Sequence, residues 1–266
     1  MSRLSLPVAA AAAVVLAVSA ACAGASEDPA VNPLLSRPVA EVKADEVRFM
    51  QQRLADFAQL QRYRGENAAL PAAVAGQPRV VFFGDSITEG WGATGSDTFF
   101  PGKGYLNRGI SGQTTAQMLL RFRQDVVALE PTVVVVLAGT NDIAGNTGPA
   151  TQRMIEDNLH SMVELAQAHG IKVVLSSVLP VSDYPWQPGV HPAGKIRALN
   201  AALKGYAARQ ALVYLDYHAP LSNADGGLDK ALAEDGVHPT AAGYARMAPL
   251  AQAAIDAALT APATRR

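Results

Sequence analysis

The sequence predicts an α/β fold, namely an open, doubly wound sheet of five parallel strands with helices on both faces. Short apolar runs that end near glycine or polar residues indicate buried strands at residues 79–83, 105–110, 132–138, 171–177 and 212–216. Segments of helical pattern separate these runs. Regular alternation of strand and helix is typical of a parallel sheet, because each right-handed crossover returns the chain to the same end of the sheet.

The first 25 residues precede this pattern and resemble a secretory signal peptide. Arg3 is the only charged residue before Glu27, and an apolar Ala/Val-rich run ends at the small residues 23–25. A transmembrane anchor is an alternative, since the run is near the lower length limit for spanning. Lipid attachment at Cys22 fits less well, because Ser19 stands where a lipoprotein signal has a Leu-like residue. We expect export to the periplasm or beyond, without stable membrane insertion after cleavage.

Residues 26–78 are predicted to form a tether followed by a helical extension. The tether is short, polar and Pro-containing, and a Pro/Gly connector at 71–78 leads into the first strand. Between them, residues 40–69 have apolar side chains at steps of three and four, which indicates one face of a helix: Val47, Met50, Leu54, Phe57 and Leu60. Residues 79–260 then form one domain, since neither a repeat nor an interior linker divides them.

Four helices alternate with the strands of this domain. The first is predicted over 114–129, with Thr114 or Thr115 as its N-cap. The second covers 150–169 and ends at Gly170, a common C-terminal signal. The others are predicted over 195–210 and 240–259.

Composition excludes several functional classes. The 266 residues carry 22 Lys plus Arg and 23 Asp plus Glu, a net charge of −1, so there is no basic footprint for nucleic acid. A single cysteine allows neither an intramolecular disulfide nor a Cys-rich zinc site. Because H-E-x-x-H and Walker patterns are lacking as well, and no G-x-G-x-x-G directly follows the first strand, we predict no metal and no cofactor. The sequence gives no indication of an oligomeric state.

Polar residues and glycines follow the predicted strands, where parallel α/β sheets bind their ligands. The ones with chemical potential are Ser86, Gly112, Asn141, Asp235 and His238. Ser86 lies at a strand-to-helix turn that could expose its hydroxyl, and His238 is the natural base for it. Asp235, three residues before His238, could fix the imidazole tautomer. The backbone N–H groups of Ser86 and Gly112 and the amide of Asn141 could bind an oxyanion.

These residues lie in four blocks that resemble the motifs of the SGNH/GDSL hydrolases: 84–86, 107–114, 139–142 and 235–239. The resemblance extends from about residue 79 to 259, and the one departure is Ile87, where the family name implies Leu. It implies a flavodoxin-like three-layer α/β/α sandwich, with the hydrolase domain at 79–260. It also implies Ser86 as nucleophile, Gly112 and Asn141 as oxyanion donors, and Asp235 with His238 as acid and base.

Other residues near the site have less specific signals. Asp85 could contact substrate, although a structural role in binding loop N–H groups is the simpler interpretation. Trp91 could form one wall of the substrate site. In the loop after the fourth strand, Tyr184 and Trp186 either stack on a sugar ring or line an acyl pocket, or they form a packed aromatic plug.

The predicted function is that of an exported serine esterase that cleaves short-chain acyl esters, acetyl in particular, including esters of carbohydrate. Alternatives are a lysophospholipase or thioesterase type of acylhydrolase, an acyltransferase, and a non-catalytic glycan-binding module in the same cleft. The resemblance narrows the reaction more than the substrate, which would be a small-molecule or glycan acyl ester.

Overall fold

The structure, a computed structural model, describes residues 37–74, 76–92 and 99–262. The predicted signal peptide, the lipid-attachment alternative at Cys22 and most of the predicted tether lie outside these ranges. In the part of the chain that is described, we find no helix with the length and apolarity needed to cross a bilayer.

Five strands form one parallel sheet in the order β2-β1-β3-β4-β5. They are β1 (Val80–Gly84), β2 (Leu106–Gly109), β3 (Val133–Leu137), β4 (Lys172–Ser176) and β5 (Val213–Leu215). The predicted α/β sandwich with five parallel strands is therefore confirmed.

Helices flank the sheet and precede it. They are α1 (Ala44–Ala55), α2 (Arg64–Ala69), α3 (Ser86–Glu89), α4 (Thr115–Asp125), α5 (Thr140–Ile143), α6 (Gln152–Ala168), α7 (Ala193–Arg209), α8 (His218–Leu221) and α9 (Ala241–Thr260). Two 3₁₀ turns, Val39–Glu41 and Val127–Leu129, complete the described elements. The predicted helix over 114–129 thus divides into α4 and a 3₁₀ turn, while the other three domain helices differ from prediction by one or two residues at each end.

The two faces of the sheet bury separate apolar clusters. In β1, Val81 and Phe83 pack with side chains of α4, α6 and α7, whereas Val80 and Phe82 pack with side chains of α9. Alternate residues of a strand point to opposite faces, so one continuous apolar run supplies both layers. This is why the strands read as unbroken apolar runs in the sequence.

Close packing brings the carboxyl ends of the central strands together. Gly84 pairs with Gly109 of β2 and with Leu137 of β3. A Cβ atom at Gly84 would lie 2.0 Å from Thr88 Oγ1, and one at Gly109 would lie 2.1 Å from the backbone nitrogen of Glu89. Only glycine therefore lets the short helix α3 lie directly against the ends of β1 and β2.

The helix predicted within residues 40–69 is two helices, because the chain turns between them. The carboxylate of Asp56 accepts hydrogen bonds from the backbone N–H groups of Leu60 and Gln61, at 2.8 and 3.0 Å. Gln59 has a left-handed φ of 54°. Asp readily binds nearby backbone N–H groups and so ends α1, although the apolar spacing of the sequence continues past it.

The segment after α1 is joined to the domain by hydrogen bonds. Gln113 and Gln117 donate to the backbone carbonyls of Ala58 and Phe57, at 2.9 and 2.6 Å. The hydroxyl of Tyr63 donates to the carbonyl of Gly109. These bonds fix the extension beside β2 and α4, at the edge of the sheet where the candidate site lies.

Candidate active site

Ser86 begins α3, immediately after the end of β1. The carboxylate of Asp85 caps this helix and accepts the backbone N–H of Ile87 at 3.0 Å. Arg121, which is fully buried, donates to the carbonyls of Gly84 and Arg108, both at 2.9 Å, and to the side chain of Gln113 at 2.5 Å. One guanidinium therefore holds the segments that lead into Ser86 and Gly112.

Ser86, His238 and Asp235 form one continuous chain of hydrogen bonds. His238 Nε2 lies 2.9 Å from Ser86 Oγ, and His238 Nδ1 lies 2.6 Å from Asp235 Oδ2. The other carboxylate oxygen of Asp235 accepts the backbone N–H groups of Val237 and His238, at 2.9 and 2.8 Å. The turn between Asp235 and His238 therefore orients both side chains toward each other.

Hydrogen bonds hold the Asp235 carboxyl in its ionised form. Burial raises the pKa of Asp235, but the hydrogen bonds from the side chain and backbone of His238 and from the backbone of Val237 outweigh it. The net pKa is below its ordinary value. A carboxylate that stays ionised can accept a hydrogen bond from the Nδ1–H of His238, which would leave Nε2 free to accept the proton of Ser86.

Asn146 connects the loop that contains Gly112 to the short helix α5, which contains Asn141. The Asn146 amide donates to the carbonyl of Gly112 at 3.2 Å and to Asn141 Oδ1 at 2.9 Å. Asn141 itself is buried and donates one amide hydrogen to the carbonyl of Gln113 at 3.0 Å. Gly112 has a φ of 73°, a conformation that glycine adopts without strain. The two predicted oxyanion donors are therefore held by one small amide network.

Sequence reasoning missed two residues that organise the site, Asn146 and Arg121. Asn146 follows Gly145 and precedes Thr147-Gly148, a composition that indicates a turn and nothing more. Arg121 lies in a helix, where arginine is usually exposed. Only the fold shows that these two side chains reach the ends of other strands.

Two buried carboxyl groups lie behind Ser86 and Asn141. Burial raises the pKa of Asp85 to about 7 and that of Asp142 to about 6. Both oxygens of Asp142 accept hydrogen bonds from Thr115, whereas Asp85 Oδ2 has no hydrogen-bond partner among the described residues. Asp142 therefore joins the end of β3 to the start of α4.

Asp85, Trp91 and Tyr184, for which substrate contact was one of the interpretations, are all buried in the structure. Asp85 is buried as the cap of α3. Trp91 is 3% exposed and stacks on Tyr244 in the core below the site. Tyr184 is buried, and its hydroxyl donates to the carbonyl of Thr140 at 3.0 Å. All three residues follow a strand in the sequence, and that position does not reveal that their side chains pack into the interior.

Trp186, in contrast to Trp91 and Tyr184, is partly exposed at the site. Its ring is 38% exposed and lies 5.9 Å from the His238 ring, measured between centroids. Its indole N–H donates to Asn146 Oδ1 at 3.2 Å. Trp186 therefore connects the histidine side of the site to the amide network.

A metal site is not formed within the described ranges, since no three His, Cys, Asp or Glu side chains there lie close enough together to bind a metal ion. Two cavities lie near the site: one of about 640 Å³, which Trp186 lines, and one of about 550 Å³, which Asp235 lines. The larger one is bounded by α1 and by the loop that contains Gly112, and the other adjoins Asp235.

Two curated proteins are similar to part of this chain. Esterase TesA of Pseudomonas aeruginosa is 29% identical over 143 residues, which cover 53% of this chain and 64% of that protein. The lipoprotein YqeF of Bacillus subtilis, which is uncharacterised, is 39% identical over 82 residues, or 29% of this chain and 33% of the relative. The matches thus span less than two thirds of the length of either curated relative.

A solved structure and a family match cover more of the chain. A GDSL-like lipase from Bacteroides thetaiotaomicron is 46% identical, with a TM-score of 0.74, and the match covers 76% of this chain and all of that one. Residues 82–246 match the GDSL-like lipase/acylhydrolase family. This range contains all four sequence blocks, and it confirms the resemblance inferred from them and the assignment to an esterase or acylhydrolase family. The chain belongs to the GDSL-like lipase/acylhydrolase family.

Proposed function

We propose that the chain hydrolyses carboxylic esters, with Ser86 as nucleophile, His238 as general base and acid, and Asp235 as the group that orients His238. The observation that carries this proposal is the chain of hydrogen bonds from Asp235 through His238 to Ser86, at 2.6 and 2.9 Å. These contacts are of the length that proton transfer to and from a serine hydroxyl requires.

The reaction then has two halves. Ser86 Oγ attacks the ester carbonyl while its proton passes to His238 Nε2, and His238 then donates that proton to the departing alcohol. The product is an ester between Ser86 and the acyl group. A water molecule, deprotonated by His238, attacks this acyl-enzyme, and the proton returns to Ser86 as the acid leaves.

The negative charge on the carbonyl oxygen would be bound by three donors. They are the backbone N–H groups of Ser86 and Gly112 and the side-chain amide of Asn141. Each such donor is typically worth about 3 kcal/mol of barrier. The position of Ser86 at the start of a helix supports this role, because the first N–H groups of a helix have no intrahelical partner.

For the substrate we propose a short acyl group, acetyl in the first instance, on an alcohol that can be a carbohydrate. Trp186 supports the carbohydrate part, since its partly exposed ring beside His238 offers an apolar surface with a polar edge. We further propose that the protein is exported. The apolar N-terminal run and the relative that is a lipoprotein support export.

One observation favours the lysophospholipase or thioesterase alternative. Apolar side chains of α1 line the larger cavity next to Gly112. We expect kcat/KM to be highest for two- to four-carbon acyl groups in a series of 4-nitrophenyl esters. A maximum at eight carbons or more would contradict the short-chain proposal and support the alternative.

The proposed roles are tested by Ser86→Ala. Without the hydroxyl the acyl-enzyme cannot form, so hydrolysis of 4-nitrophenyl acetate should fall about 10³-fold or more. Ser161→Ala, a substitution on the remote helix α6, serves as the matched control and should retain wild-type rates. Rates like those of wild type for a folded Ser86→Ala protein, with an unchanged melting temperature, would contradict the proposal.

A further inference from the structure

The larger cavity is the space next to the proposed oxyanion donors. It has a volume of about 640 Å³ and shares Gly112 and Asn146 with the amide network. The opposite wall is built by α1 and the turn after it, with the side chains Phe49, Met50, Arg53, Leu54 and Phe57. Since the ester carbonyl would lie beside Gly112, a group attached to it can extend into this cavity.

Arg53 is the one charged residue among those that line this cavity. Its Nη1 atom lies 3.9 Å from the position that a Cβ atom on Gly112 would take. The guanidinium carbon is 5.4 Å from the centre of the Phe49 ring. The cation is therefore directed at the candidate oxyanion loop from an otherwise apolar wall.

Within the described ranges the Arg53 guanidinium forms no ion pair. The nearby acids of the extension are engaged elsewhere: Glu46 pairs with Arg37 at 2.7 Å, and Asp56 accepts backbone N–H groups. Burial lowers the pKa of Arg53, and no neighbouring acid offsets this effect. A partly desolvated cation without an anion is unfavourable. Pairing with an anionic ligand would therefore contribute favourably to the free energy of binding.

The smaller cavity, which Asp235 lines, has the opposite charge. Its lining has one lysine, Lys230, and five acidic residues: Asp183, Asp225, Asp229, Glu234 and Asp235. An anionic group would be repelled on that side and attracted toward Arg53. The charge distribution thus favours a single orientation of an anionic substrate.

We propose that Arg53 is a specificity-determining residue that binds an anionic oxygen group of the substrate, such as a carboxylate or phosphate, close to the scissile ester. The inference rests on the proposed function and names the substrate class: esters that carry a negative charge on the part lying in the cavity of Arg53. Aliphatic or aromatic atoms between the charge and the ester would contact Phe49 and Phe57.

Matched pairs of esters test this proposal. The pair 4-acetoxybenzoate and its methyl ester differs in charge on the alcohol side, and the pair of 4-nitrophenyl hydrogen adipate and 4-nitrophenyl hexanoate differs on the acyl side. In one of the two pairs, the one whose charged part lies in the cavity of Arg53, wild type should hydrolyse the anionic member with the higher kcat/KM. Arg53→Gln should lower kcat/KM for that member about ten- to hundredfold, mainly through KM, and leave the neutral member within about twofold.

Three further measurements make the result specific. Arg48→Gln removes the same charge from the same helix but outside the cavity lining, and it should leave kcat/KM unchanged for both members of each pair. Arg53→Lys should recover part of the preference, and about 0.5 M salt should weaken it.

Equal losses on both members of a pair would overturn the proposal, because they would show that Arg53 acts on the reaction of every ester. No change on either member would overturn it as well. Failure of wild type to hydrolyse any of the four esters would contradict the proposed function, and the assignment of Arg53 with it.

Discussion

Asn146 joins three parts of the proposed oxyanion site through its side chain. Its side-chain NH₂ group donates to the backbone carbonyl of Gly112 and to Asn141 Oδ1. Its side-chain oxygen Oδ1 accepts the indole N–H of Trp186. A donor for an oxyanion has to be fixed before charge develops, because reorganisation during the reaction raises the barrier. We therefore expect Asn146 to act as a positioning residue rather than as a group that contacts the reacting atoms.

We predict that Asn146→Ala lowers kcat for 4-nitrophenyl acetate about tenfold or more, with little change in KM. The loss follows from a less well-fixed Asn141 amide and Gly112 loop. Steady-state kinetics, with a thermal melt as the control for folding, measure the effect. A folded variant with unchanged kcat would show that the amide network does not position the donors.

At the scale of elements, the junction between β1 and α3 places a carboxyl group in the interior. Asp85 caps α3 with one oxygen and has no described partner for the other, and burial raises its pKa to about 7. An unfolded aspartate titrates near 3.8. Between these two pH values the folded chain binds a proton that the unfolded chain does not, so stability decreases as pH rises through this window.

Asp85→Asn should remove this pH dependence. The amide still caps α3 but does not ionise. The free energy of unfolding of the variant, relative to wild type, should therefore increase from pH 5 to pH 8, by up to about 3 kcal/mol. Denaturant unfolding at both pH values measures it.

Asp225→Asn, at an exposed loop residue, provides the control for this experiment. We expect it to keep the wild-type pH dependence. A constant difference in stability between Asp85→Asn and wild type across this pH range would mean that Asp85 is ionised in the folded protein.

At the scale of the whole molecule, much of the fold follows from the sequence. Five apolar runs with intervening helical patterns are sufficient to predict a parallel sheet with two covered faces, since β1 alone supplies side chains to both clusters. The blocks around Ser86, Gly112, Asn141 and His238 could also be located in the sequence, because each follows a predicted strand or precedes a predicted helix at the ligand-binding edge of the sheet.

The remaining features depend on contacts between distant segments. The spacing of Phe49, Met50 and Arg53 predicts a helix, but it does not indicate which part of the molecule that helix faces. Trp91 and Trp186 both follow strands, yet one packs under Tyr244 and the other lies beside His238. Which aromatic residue borders the substrate is decided by packing, and a local pattern contains no information about it.

The most direct test of the account is covalent labelling with a fluorophosphonate, followed by intact-protein and peptide mass spectrometry. We predict one adduct per chain on wild type, located on Ser86, a much slower reaction of His238→Ala, and no adduct on Ser86→Ala. The absence of an adduct on wild type, as expected for a non-catalytic glycan-binding module, or equal labelling of Ser86→Ala, would contradict the assignment of Ser86 as an activated nucleophile.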